Sequence, residues 1–190
     1  MKADSIIIVD VESTCWEKSR PPSGEQSEII EIGICSLIRE TGEIQKARSL
    51  LVKPQRSRVS PFCTGLTTLT QEQVSQGMLF HDACAFIQAE YETHHYPWGS
   101  WGNYDRNMFI QQCASFHVEY PFSEKHYNVK KLFAERYALG RQVGMVQGLQ
   151  IAGLALQGIH HRGGDDAMNI ARLLRHLLEK FGQNVLRDSQ

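Results

Sequence analysis

The sequence predicts an α/β sandwich built on a mixed central sheet, and three observations carry that prediction. Three apolar, strand-like segments lie before residue 53, helix-periodic segments then alternate with a short strand, and no linker or internal repeat divides the 190 residues. A chain of this length is most simply one domain, here 1–190, large enough to bury a substantial core.

The elements follow in order. "SIIIVDV" (Ser5–Val11) is an unbroken β-branched run, the pattern of a strand buried on both faces. "CWEKSRPPSGEQSE" joins Pro-Pro, Gly and charge and reads as a loop. "IIEIGICSLI" (Ile29–Ile38) is a second strand, and "ETGE" turns into a third around Ala47–Val52. "RVSPFCTGLTTLTQEQV" is irregular, with Thr70 placed to cap a short helix. Leu79–Tyr91 is an amphipathic helix, and Tyr96–Trp101 a short strand ending before Gly102. Further helices are expected at Tyr104–Phe116, Val129–Ala138, Val143–Leu156 and Asp166–Phe181.

Composition narrows the class. At 42% hydrophobic, 22% charged and a net charge of -1, the chain is an ordinary globular protein without a broad basic field. A nucleic-acid partner would therefore be held by a local site. Cys15, Cys35, Cys63, Cys84 and Cys113 are scattered and never form C-x-x-C. That excludes a disulfide framework and a cysteine zinc site and fits reduced thiols in a cytosol. "MKADSIIIVD" is too short an apolar run for a signal peptide, and nothing approaches a membrane span. A soluble, cytoplasmic protein is expected.

Acids at the ends of elements carry the chemistry. In "IIIVDVEST", Asp10 and Glu12 are two apart, so on a strand they share a face. Neighbouring carboxylates at a buried strand exit repel and lose hydration. A hard divalent cation such as Mg²⁺ or Mn²⁺ offsets both costs; the plainer alternative is that the strand simply surfaces there. Asp105 follows the tight turn Gly102-Asn103 and shares a helical face with Met108, Phe109, Cys113 and Phe116. It is either a helix-capping acid or a third carboxylate beside the strand end.

"GIHHRGGDDAMNIARLL" offers two His–Asp pairings of equal spacing. The apolar stripe of Asp166–Phe181 is Ala167, Ile170, Ala171, Leu174, Leu177, Leu178 and Phe181. Asp166 falls on the edge of that stripe, whereas Asp165 falls nearly opposite it, toward solvent or the helix cap. The shared spacing then pairs Asp166 with His161, on a glycine-flanked loop able to move, and leaves His160 as a bystander.

Together "DVESTCWE", "EIIEIG", "WGNYD" and "HHRGGDDAMNIA" resemble the DEDDh subgroup of DnaQ-like 3′–5′ exonucleases. The similarity is closest to the branch that includes histone-mRNA 3′ exonuclease and KapD-like bacterial proteins, and it spans about Ile6 to Leu178. "SPFCTGLTTLTQEQV" resembles that family's loop near the scissile end, with Thr68 where its L-T-G-I-T pattern has glycine.

The resemblance implies a ribonuclease H-like fold, a five-stranded mixed sheet with helices on both sides. It implies that Asp10, Glu12, Asp105 and Asp166 hold two Mg²⁺ or Mn²⁺ ions and that His161 is the general base. By the same resemblance Thr14, Phe62, Leu66 and Leu69 contact the terminal nucleotide. The expected partner is the 3′ end of single-stranded nucleic acid, RNA ahead of DNA, releasing nucleoside 5′-monophosphates. The competing readings are a DNA-directed 3′–5′ exonuclease and a catalytically weak nucleic-acid-binding relative.

Overall fold

Strand β1 (Ser5–Ser13) runs through the middle of the sheet, and its alternation decides what each face receives. In the computed structural model, which describes residues 4–186, it pairs antiparallel with β2 (Ile29–Ile38) from Ser5↔Ile38 to Ser13↔Ile29. β2 pairs antiparallel with β3 (Ile44–Leu51). On the other side β1 pairs parallel with β4 (Trp98–Ser100), and β4 parallel with β5 (His126–Asn128). The order β3-β2-β1-β4-β5 is the expected five-stranded mixed sheet. The ends of the 1–190 span lie outside the described residues.

Ile6 and Ile8 point to one face with Cys35 and Leu37 of β2. There they meet α5 (Val129–Arg136), α6 (Met145–Ala152) and α7 (Gly163–Phe181). Ile7, Val9 and Val11 point to the opposite face, against α3 (Phe80–Tyr91) and α4 (Tyr104–Phe116). A strand covered on both sides has no polar face, which explains the unbroken apolar run. Each large aliphatic side chain withdrawn from water here contributes about 1.5–3 kcal/mol.

Local chemistry sets the helix ends. α1 (Pro61–Thr67) begins with Ser60, whose hydroxyl accepts the Cys63 N–H, and with Pro61 in the first turn. α2 (Gln71–Ser75) carries the expected Thr70 cap, completed into a capping box by Gln73. α7 lacks a capping side chain of its own. Glu31 of β2 substitutes, accepting the Gly163 N–H at 2.7 Å.

Several elements depart from the sequence expectation, among them β3, which starts at Ile44 rather than near Ala47, and β4, which is trimmed to Trp98–Ser100. α1 is a full helix inside the stretch expected to be irregular, because Ser60-Pro61 starts it and Thr68 ends it. β5 is only three residues long, too short to show alternation. α6 stops at Gly153, whose φ of 71° ends the helix short of Leu156. α7 starts at Gly163 rather than Asp166. Gly163 and Gly164 therefore belong to a docked helix end instead of a mobile loop. A side chain at Gly33 would place its Cβ 1.7 Å from the Gly163 carbonyl oxygen, so this close approach requires glycine. Among the described residues no helix is long and apolar enough to cross a membrane.

Candidate active site

The acids converge at the carboxyl end of β1, just beyond the end of the parallel strand β4. Asp10 and Glu12 leave β1 on the Ile6/Ile8 face, and Glu12 stands opposite Glu31 in the β1–β2 register. Asp105 occupies the first turn of α4, reached through Gly102 at φ 115°, and its Oδ1 accepts the Val11 N–H at 2.9 Å. Asp166 occupies the first turn of α7. All four line one cavity of about 370 Å³ together with His160 and His161. Oxygens of Asp10, Glu12 and Asp166 lie within 4.8 Å of one another.

Crowding and burial make this cluster costly to ionise. Burial, then Asp105, Glu12 and Asp166, push Asp10 well above the usual carboxylate range. Burial and Asp166 raise Glu12 to about 8. Burial raises Asp105 to about 6, against hydrogen bonds from Val11, its own N–H and Ser100. Burial also raises Asp166, against the His161 N–H and His160. Asp166 Oδ1 is buried and has no hydrogen-bond partner among the described residues. Four mutually repelling carboxylates and an orphaned oxygen form a donor set that fits hard divalent cations.

A stability prediction follows from the sign of these shifts. A carboxyl raised on folding stabilises the protonated folded state, so that contribution is whole below the unfolded value of 4.5 for Glu12 and lost as pH rises through about 8. Metal-free protein should therefore melt lower at pH 8 than at pH 5. Added Mg²⁺ or Mn²⁺ should raise the melting temperature more at pH 8, as thermal shift assays in chelator and in metal will read. An equal metal shift at both pH values would contradict the carboxylate cluster as the binding site.

The histidine doublet differs from the sequence expectation. His161 is half-exposed, its Nδ1 stands 4.0 Å from Glu12 Oε1, and its backbone N–H donates to Asp166 Oδ2 at 2.9 Å. Burial and His160 lower its imidazole below the ordinary histidine value, with Asp166 opposing. His160, expected as a bystander, contacts the cluster: its Nδ1 lies 2.9 Å from Asp166 Oδ2 and its ring stacks on His161 at 3.9 Å. Asp165 neither faces solvent freely nor caps α7. It turns back to accept the Ile159 N–H at 2.8 Å, tying down the loop before the histidines.

Of the residues expected to contact substrate, Leu66 lines the acidic cavity and also an adjoining one of about 470 Å³. Phe62 and Thr14 line the adjoining cavity, beside Trp16, which was not among the expected contacts. The Thr14 hydroxyl is already engaged, 2.9 Å from Ser57 Oγ and accepting the Glu28 N–H at 2.9 Å. Leu69 is a correction: it is buried against Ile30, Cys63 and Val74 and lines neither cavity, because the turn at Thr68 points it into the core. Thr68 takes φ 63°, the left-handed conformation that explains why the family pattern has glycine there.

The sequence argument missed Tyr104, Met145 and Glu31. Tyr104 lines both cavities with its hydroxyl 2.6 Å from Ser13 Oγ, and Met145 lines the acidic one. The exposed side of a helix start, which Tyr104 occupies, carries no periodic signal. Trp101 lines the acidic cavity while its indole N–H donates to the Val143 carbonyl at 3.0 Å.

Acids gathered at the carboxyl ends of β1 and β4, on a five-stranded sheet of this order, define the ribonuclease H-like nuclease class. The chain belongs to the exonuclease family: the family profile described as Exonuclease (RNase_T) matches residues 7–174. It is 32% identical over 189 residues to the human (Homo sapiens) protein named 3'-5' exoribonuclease 1, covering 93% of this chain and 53% of that protein. A Bacillus subtilis protein named probable 3'-5' exonuclease KapD is 26% identical, with 92% of this chain and 85% of that protein covered. A solved nuclease domain described as a DEDDh family member bound to rAMP superposes with a TM-score of 0.85 at 29% identity, covering 94% of this chain and 93% of that one. The chain spans about half the length of the exoribonuclease 1 relatives it matches, 53% in each case.

Proposed function

We propose that this chain is a single metal-dependent 3′–5′ exonuclease domain acting on single-stranded RNA. The observation that supports it most is the meeting of Asp10, Glu12, Asp105, Asp166 and His161 at one cavity in a chain of the exonuclease family. The names of its relatives, exoribonucleases among them, favour RNA over DNA. Five free thiols suit a cytoplasmic location.

Asp10, Glu12, Asp105 and Asp166 would hold two Mg²⁺ or Mn²⁺ ions. The chemistry supplied there is charge stabilisation at the attacking and leaving oxygens of an in-line displacement. His161, whose imidazole burial and His160 lower below the ordinary histidine value, accepts the proton of the attacking water. Leu66, Phe62 and Tyr104 form an apolar wall for the terminal base of a single strand. Each turnover breaks the last phosphodiester, releasing a nucleoside 5′-monophosphate and leaving a new 3′-hydroxyl.

The test is digestion of 5′-labelled single-stranded RNA and DNA with Mg²⁺, Mn²⁺ or chelator. Stepwise shortening of RNA from the 3′ end, abolished by chelator, is expected. No shortening with either metal would end the enzyme reading, and faster digestion of DNA would reassign the substrate.

A further inference from the structure

We propose that Glu31 and Arg162 form a clamp that positions His161 for proton transfer. The inference rests on the exonuclease reading for the role of His161. Glu31 is fully buried on β2 and does not line the acidic cavity. Its carboxylate nevertheless gathers three kinds of donor. Arg162 Nη2 donates to Oε1 at 2.9 Å, and Arg162 Nε lies 3.3 and 3.2 Å from the two oxygens. The Gly163 N–H donates to Oε2 at 2.7 Å, and the Ser49 hydroxyl donates to Oε1. A buried charge this well matched holds the backbone of Arg162 and Gly163 to the sheet.

The residue immediately before this anchor is His161, at φ 64°. A side chain in that left-handed conformation is strained and persists only where its surroundings over-determine it. The strain has a geometric consequence: it turns the His161 N–H back onto Asp166 Oδ2 while its ring Nδ1 faces Glu12. The chain is held on both sides of this kink. Asp165 fixes the Ile159 N–H upstream, and Glu31 fixes Arg162 and Gly163 downstream. A planar guanidinium is needed for the downstream hold, because one fork reaches both carboxylate oxygens and an ammonium cannot.

Arg162→Ala and Arg162→Lys in the full chain test the clamp, since Arg162 is half-exposed and its loss leaves the Gly163 and Ser49 bonds in place. Arg162→Ala should lower kcat about 10- to 100-fold, the scale of a misplaced catalytic group, with KM within about threefold of the parent. Arg162→Lys should recover only part of the loss. Guanidinium ion at tens of millimolar, roughly, should restore several-fold activity to Arg162→Ala, and sodium chloride or urea should not. In metal-free protein, amide exchange in Arg162→Ala should quicken at His161 and Gly163 more than elsewhere in α7. A kcat within threefold of the parent, a loss without guanidinium rescue, or exchange rising evenly along α7 each overturns the clamp. If the parent itself hydrolyses nothing, the exonuclease reading fails, and the exchange pattern alone decides whether Arg162 holds His161 in place.

Discussion

Asp10→Asn is expected to reduce 3′-end hydrolysis by at least about 10³-fold, while the metal-free variant melts higher than the parent at pH 8. Both effects have one source. Asp10 sits among Asp105, Glu12 and Asp166, which with burial hold its carboxyl well above the ordinary range. Asparagine keeps the shape and removes the charge, so the repulsion that destabilises the metal-free fold is relieved. The same change removes a carboxylate from the site proposed for two cations. Losing several kcal/mol of transition-state stabilisation corresponds to about tenfold in rate per 1.4 kcal/mol. A rise of a few degrees in melting temperature, roughly, is what relief of 1 kcal/mol would give a chain of this size. Activity above a tenth of the parent's would exclude Asp10 as an essential ligand. Melting below the parent in chelator at pH 8 would contradict the repulsion.

His161→Ala should cost about 10²–10⁴-fold in kcat, the range for losing a general base, and His160→Ala about tenfold or less. The two rings stack and both line the acidic cavity, so proximity does not separate them. Their partners do. The Nδ1 of His160 is engaged with Asp166 at 2.9 Å, whereas the His161 ring reaches Glu12 only at 4.0 Å and keeps its base free. Because burial and His160 lower the His161 imidazole, the acidic limb of the kcat/KM profile should fall below the ordinary histidine range. That limb should vanish in His161→Ala and survive in His160→Ala. Equal losses in the two variants, or the reverse order, would overturn the assignment of the base.

Much of the fold was legible because its signals are short-range. β1 and β2 announce themselves by composition, the Thr70 cap lies one residue before its helix, and the α7 stripe repeats every three or four positions. Elements of three residues, such as β5, carry no period to read. α1 was hidden by glycine and threonine in its body, although Ser60-Pro61 was a start signal in plain view. The cluster was legible for the same reason as the fold. Asp10 and Glu12 share a strand face by alternation, and helical phase put Asp105 and Asp166 on the sides that meet the sheet.

What the sequence determined by itself is thus most of the elements, α1 and β5 excepted, and the face taken by Asp10, Glu12, Asp105 and Asp166, because both follow from backbone periodicities of two and 3.6 residues. The tertiary structure alone decided the partners. It turned Asp165 back onto Ile159, seated His160 on Asp166, sank Leu69 into the core and joined Glu31 to an arginine 131 residues away. The Glu31–Arg162 contact depends on how α7 docks against β2 at Gly33, a distance of closest approach between distant segments that no local pattern encodes, and the others depend on turns whose side-chain directions carry no period.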